Sequence, residues 1–182
     1  VVERTQEPSR TVALSNSSGT GAVVTGAERQ HAIEQWLLAA ADDELTARQQ
    51  WRKGGIALLR CGKSFDAVRV PLVIVEAAAG MTEHIMIAAY LHEALLGGPA
   101  FVDASSNLVY CLVVPSTGHW REPDTEYLGA DSYLGVPVLR APSSARSCWF
   151  LEPDWPGMVC RPDAVKQMVT FGRFRAAMGT SA

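Results

Sequence analysis

The sequence predicts an α+β domain, a mainly antiparallel sheet packed by helices. Three observations carry that expectation. Short apolar runs such as "IALLRC", "FDAVRV" and "LVYCLVV" have strand length and are bounded by turn residues. Longer segments repeat their apolar residues at helical spacing. The order is helix, hairpin, helices, hairpin, strands, helix, which differs from the strict strand–helix alternation of a βαβ nucleotide-binding fold. At 182 residues the chain suits one domain with a substantial core.

Taken in order, residues 1–25 are rich in Ser, Thr and Gly and read as a flexible arm preceding a domain over 26–178, with 179–182 as a tail. From Ala27 to Ala41, the spacing of Ile33, Trp36, Leu37 and Ala40 predicts a helix. A second helix is expected from Asp43 to Trp51, capped by Asp42 or Asp43. Residues 56–61 and 65–70 read as two strands of a hairpin joined through Gly62, Lys63 and Ser64. Pro71 suits the first turn of a helix that Gly80 stops after Ala79. Thr82 is placed as the cap of a helix over 83–96, with Ile85, Ala88, Ala89, Leu91 and Leu95 on its buried stripe. "AFVD" and residues 108–114 form a second hairpin around Ser105, Ser106 and Asn107. The polar loop "PSTGHWREPDTE" follows, then strands near 133–138 and 148–151, and a last helix from Pro162 to about Ala177.

Composition narrows the functional classes. The net charge of −3 does not mark a protein built to hold a polyanion, so a protein or small-molecule partner is favoured over nucleic acid. Arginine outnumbers lysine 13 to 3, which fits a GC-rich genome. The four cysteines, at 61, 111, 148 and 160, lack the paired spacing of a zinc site and read as buried reduced thiols. No apolar stretch is long enough to span a membrane, and a cytoplasmic location is expected.

The stretch "ARQQWRKGGIALLRCGKSFDAVRVP" resembles the opening of the bifunctional DNA primase/polymerase N-terminal (prim-pol) family, with "NLVYCLVVP" and "SYLGVP" similar to its later strands. The likeness runs in order over residues 30–176 and is strongest to prim-pol-like proteins of actinobacteria. It implies a prim-pol-like fold. In that family a strand carries a D-x-D pair just before proline, and the two acids hold divalent metals that clamp the triphosphate. Aligned on Pro71, those positions are Val68 and Val70, and valine cannot ligate magnesium. The family's glycine-flanked histidine falls near Val109 or Tyr110. The departures mark a degenerate branch.

Asp66 shares a strand face with Val68 and Val70 and is the one weak candidate for a displaced metal ligand. A hairpin turn at 62–64 would set it opposite Arg60, and the cross-strand ion pair is the preferred reading. His119 is the other weak catalytic candidate, in a loop that also offers Arg121. On the last helix Lys166 and Arg173 lie one heptad apart and could touch phosphates. Arg60, Arg121, Lys166 and Arg173 are therefore the candidate binding residues. No metal site and no cofactor is expected. The function expected is a catalytically degenerate binding or regulatory module for a nucleotide, nucleic acid or protein. The alternative is an active primase/polymerase, or another enzyme, using the residual cleft with displaced ligands and Mg²⁺ or Mn²⁺.

Overall fold

A computed structural model describes residues 25–116 and 120–179. Of the expected N-terminal arm only Thr25 lies among the described residues, and it belongs to the domain. Its hydroxyl accepts the Glu28 amide while Glu28 reaches back to the Thr25 amide, a reciprocal cap that starts α1 (Gly26–Leu38). Asp43 caps α2 (Glu44–Gly54) through the amides of Leu45 and Thr46, as its position in the sequence suggests.

Five strands form an antiparallel sheet in the order β5-β2-β4-β3-β7. They are β2 (Asp66–Pro71), β3 (Ala100–Asp103), β4 (Leu108–Val113), β5 (Glu126–Leu128) and β7 (Ser147–Leu151). Alternation divides their side chains cleanly. Val68, Val70, Val109, Cys111, Val113, Cys148 and Phe150 face α3 (Leu72–Ala79), α4 (His84–Ala94) and α5 (Pro162–Gly179). Ala67, Phe101, Leu112 and Trp149 face a second layer made of α1, α2 and the ribbon of β1 (Ile56–Arg60) and β6 (Tyr133–Pro137). Each large side chain buried in these two cores stabilises the fold by about 1.5–3 kcal/mol.

Two indoles stitch the second layer together. Trp51 Nε1 donates to the Val136 carbonyl at 2.9 Å, and Trp149 Nε1 donates to Pro137 at 3.1 Å. On the helical face the tightest approach is α5 against α3. A Cβ at Gly172 would lie 2.2 Å from the Ile74 carbonyl oxygen, so only glycine lets the two backbones come this close.

The expected hairpin of 56–61 with 65–70 does not form. The Gly62 amide does close a tight turn onto the Phe65 carbonyl at 3.0 Å. Beyond it the strands part, β1 pairing with β6 and β2 with β4 and β5. The strands expected in one mainly antiparallel sheet therefore lie in two. Burial explains the split. Both faces of β2 are covered, whereas β1 buries Ala57 and Leu59 and leaves Leu58 exposed on its other side. The hairpin of β3 and β4 forms as expected, with Asn107 at φ 55° in its turn.

Three further expectations are corrected. Helix α4 is rotated from the expected stripe: Ile87, Leu91 and Leu95 are buried, Ala88 is half-buried, and Ile85 and Ala89 are exposed. His84 sets that rotation, stacking on Phe150 at 4.5 Å and donating from Nε2 to the Trp149 carbonyl at 3.2 Å. The cap position is Glu83, not Thr82, and it makes no side-chain cap bond. Strand β5 begins at Glu126, the last residue of the stretch read as loop, and is three residues long, too short for its alternation to register in the sequence. Among the described residues no single helix is long and apolar enough to cross a membrane.

Candidate functional site

Strand β2 begins at Asp66, just past the turn, and this residue is 1% exposed. Its register partner is Val113, and its side chain points toward the helical face shared by Val68 and Val70. Tyr127 on β5 donates its hydroxyl to Asp66 Oδ2 at 2.6 Å. The Ser116 amide donates to the same oxygen at 3.0 Å and is 3.1 Å from the Tyr127 hydroxyl. Such charge-assisted bonds are short and strong, so the carboxylate ties β5 and the start of the next loop to β2. Oδ1 is buried and has no hydrogen-bond partner among the described residues.

The charge also governs its neighbours. Burial first, and then the hydrogen bond to Asp66, push the Tyr127 phenol well above its ordinary range. Burial, with the Asp66 charge second, pushes the Cys61 thiol up to about 12. Both groups stay protonated at neutral pH, so neither is an activated nucleophile. All four cysteines are free and buried.

Arg60 does not meet Asp66. Its Nε donates to the Ala130 carbonyl at 3.2 Å, and an Nη lies 3.9 Å from Asp131. The reason is the missing hairpin: β1 leaves the turn with β6, carrying Arg60 toward the segment that leads into that strand. The expected ion pair is replaced by the Tyr127 and Ser116 bonds. Among the described residues no group of three or more His, Cys, Asp or Glu is arranged to hold a metal ion.

The other candidates scatter. His119 lies outside the described residues. Arg121 is exposed on the loop. Lys166 and Arg173 do share a side of α5, but both are engaged by that same loop, Lys166 with Glu122 at 3.0 Å and Arg173 with Asp124 at 3.1 Å. The basic stripe that could have touched phosphates is thus answered by acids of the chain itself. His92 is exposed near the end of α4, beside Glu93.

Sequence reasoning did not single out Tyr127, whose partnership with Asp66 depends on β5. Nor did it single out the outer face of α5. Phe171, Phe174 and Met178 are exposed at helical spacing, and Val73 is exposed on neighbouring α3. Their periodicity was readable, but which stripe of α5 faces outward is set by Gly172 docking against Ile74.

Fold and site together define a class: a single α+β domain whose central sheet holds a buried, hydrogen-bonded carboxylate at a strand end. No protein-family model, no curated protein and no solved structure matches the chain.

Proposed function

We propose that this chain is a prim-pol-like shell that works as a binding or regulatory module and does not transfer nucleotides. One observation carries the reading. The two strand positions that would hold metal-binding acids, Val68 and Val70, are fully buried in the core beneath the helices. Phosphoryl transfer relies on positioning and charge neutralisation, much of it by metal ions. Magnesium takes oxygen ligands, commonly one or two carboxylates with water and phosphate. Two buried methyl-bearing side chains offer none, and the neighbouring carboxylate has one oxygen committed to Tyr127 and Ser116.

Within this reading a protein partner is favoured over nucleic acid. Lys166 and Arg173 are paired with acids, whereas Phe171, Phe174 and Met178 present apolar surface of the kind that marks contact sites. A cytoplasmic location is part of the same proposal, supported by four free, buried cysteines. No cofactor belongs to it; Mg²⁺ or Mn²⁺ enters only if the domain is an active polymerase with displaced ligands.

The test is primer extension and de novo synthesis with Mg²⁺ and with Mn²⁺. No product is expected with either ion. Product that disappears in Asp66→Ala would overturn the proposal and make Asp66 a metal ligand.

A further inference from the structure

A cavity of about 210 Å³ opens between the central sheet and the β1–β6 ribbon, on the opposite face from Asp66. The ribbon contributes Ile56 and Leu134, and the sheet contributes Tyr110, Asp103 and Ser147, with Arg146 at the rim. Strand alternation puts the side chains of Asp103, Tyr110 and Ser147 on this face, the same one used by Phe101 and Trp149. Ser147 is only 4% exposed, and its Oγ has no hydrogen-bond partner among the described residues. An orphaned buried hydroxyl is costly unless something else completes its hydrogen bonding.

The rim supplies opposite charges. Arg146 Nε lies 3.9 Å from Asp103 Oδ1 and donates to Ser105 Oγ at 2.9 Å, while its terminal nitrogens make no hydrogen bond among the described residues. Asp103 is held by Ser105 and Ser106; burial raises its pKa, but those hydrogen bonds outweigh it and keep the carboxyl below its ordinary range. The mouth therefore carries a cation and an anion side by side, Ile56, Leu134 and the Tyr110 ring supply apolar wall, and Ser147 is among the lining residues with its hydroxyl buried.

We infer that this cavity binds a small zwitterion, an α-amino acid with an uncharged polar side chain. Its carboxylate takes the free terminal nitrogens of Arg146, a planar fork suited to that group. Its ammonium lies against Asp103. Its side chain passes Ile56, Leu134 and the Tyr110 ring, and its terminal polar atom completes the Ser147 hydroxyl. Size sets the limit. The volume lies below the roughly 300–1,000 Å³ of sites that take drug-sized ligands, which favours a single amino acid over a whole nucleotide. The site is independent of any descent from a polymerase, since it lies across the sheet from Val68 and Val70.

The experiment is isothermal titration of the full chain with L-glutamine, L-asparagine and L-threonine, alongside L-leucine and the N-acetyl and carboxamide forms of whichever binds. Saturable binding by at least one polar amino acid is expected, weakened about tenfold or more when either charge is blocked, the scale of a lost hydrogen bond to a charged group. Arg146→Ala, at an exposed position that cannot unfold the core, should weaken it comparably, and Ser147→Ala by several fold. Three results would overturn the inference: no saturable heat from any polar amino acid, leucine binding as tightly as the best of them, or binding unchanged in both variants. A nucleoside monophosphate that saturates and loses affinity in Arg146→Ala would also overturn it, by assigning the cavity to a different ligand class.

Discussion

The two faces of the central sheet each carry a carboxylate near a strand end, and the two acids differ in every respect that matters. Asp66, on the helical face, is sealed from water and holds Tyr127 and the Ser116 amide. Asp103, on the ribbon face, is partly exposed; it organises a hairpin turn through Ser105 and Ser106 and faces Arg146. In sequence Asp66 looks like chemistry, because it sits beside positions a polymerase would use for metal, and Asp103 looks like a turn residue. In three dimensions Asp66 is a structural tie, and Asp103 lines a cavity between the layers together with Ser147, whose buried hydroxyl has no hydrogen-bond partner among the described residues. Suspicion attached to a carboxylate by its neighbours in sequence says little until its hydrogen-bond partners are known.

If the helical face is the rigid side of the sheet, its close contact should be the most sensitive point. Gly172→Ala forces a methyl against the Ile74 carbonyl, and α5 must shift to admit it. A loss of about 3 kcal/mol is expected, read as a lower urea midpoint with the slope unchanged. Next comes Asp66→Ala, which leaves the Tyr127 hydroxyl and the Ser116 amide without their shared acceptor. A loss of about 2 kcal/mol is expected, with Asp66→Asn losing less because it keeps an acceptor oxygen. If Asp66→Ala proves neutral, the carboxylate is not a tie and the contrast between the faces fails.

The smallest effect concerns Asp103 and acid. Its folded pKa lies below the ordinary value of 3.8, so the stability it adds is fully present above that pH and is lost as pH falls through the folded value. Asp103→Asn should therefore approach the parent protein's thermal midpoint in acid, as pH falls through the folded value below 3.8, and fall below it at pH 6, by about 1–3 °C if the turn bonds contribute under about 1 kcal/mol. Equal midpoints at both pH values would show that the turn does not depend on the charge.

Much of this fold was readable from residues. Asp43 before a helix, Gly80 after one, and the Ser105-Ser106-Asn107 turn each act within a few positions, so their signals are local. What escaped depends on contacts between distant segments. The tight turn at Gly62 looks the same whether its strands pair or part, and only the choice of β6 over β2 as partner for β1 decides the place of Arg60. The rotation of α4 follows from His84 meeting Phe150 and Trp149, residues 65 positions away in the case of Trp149. The apolar identity of Val68 and Val70 was plain; that they are core residues follows from the helices above them.

The central claim is that Asp66 is a structural anchor and that no metal–triphosphate chemistry is organised on β2. Calorimetric titration with Mn²⁺ and a deoxynucleoside triphosphate, on the parent protein and on Asp66→Asn, tests it most directly. The account predicts no saturable heat from either protein, together with a lower thermal midpoint for Asp66→Asn. Saturable binding in the parent that is lost in Asp66→Asn, with the fold intact, would contradict it.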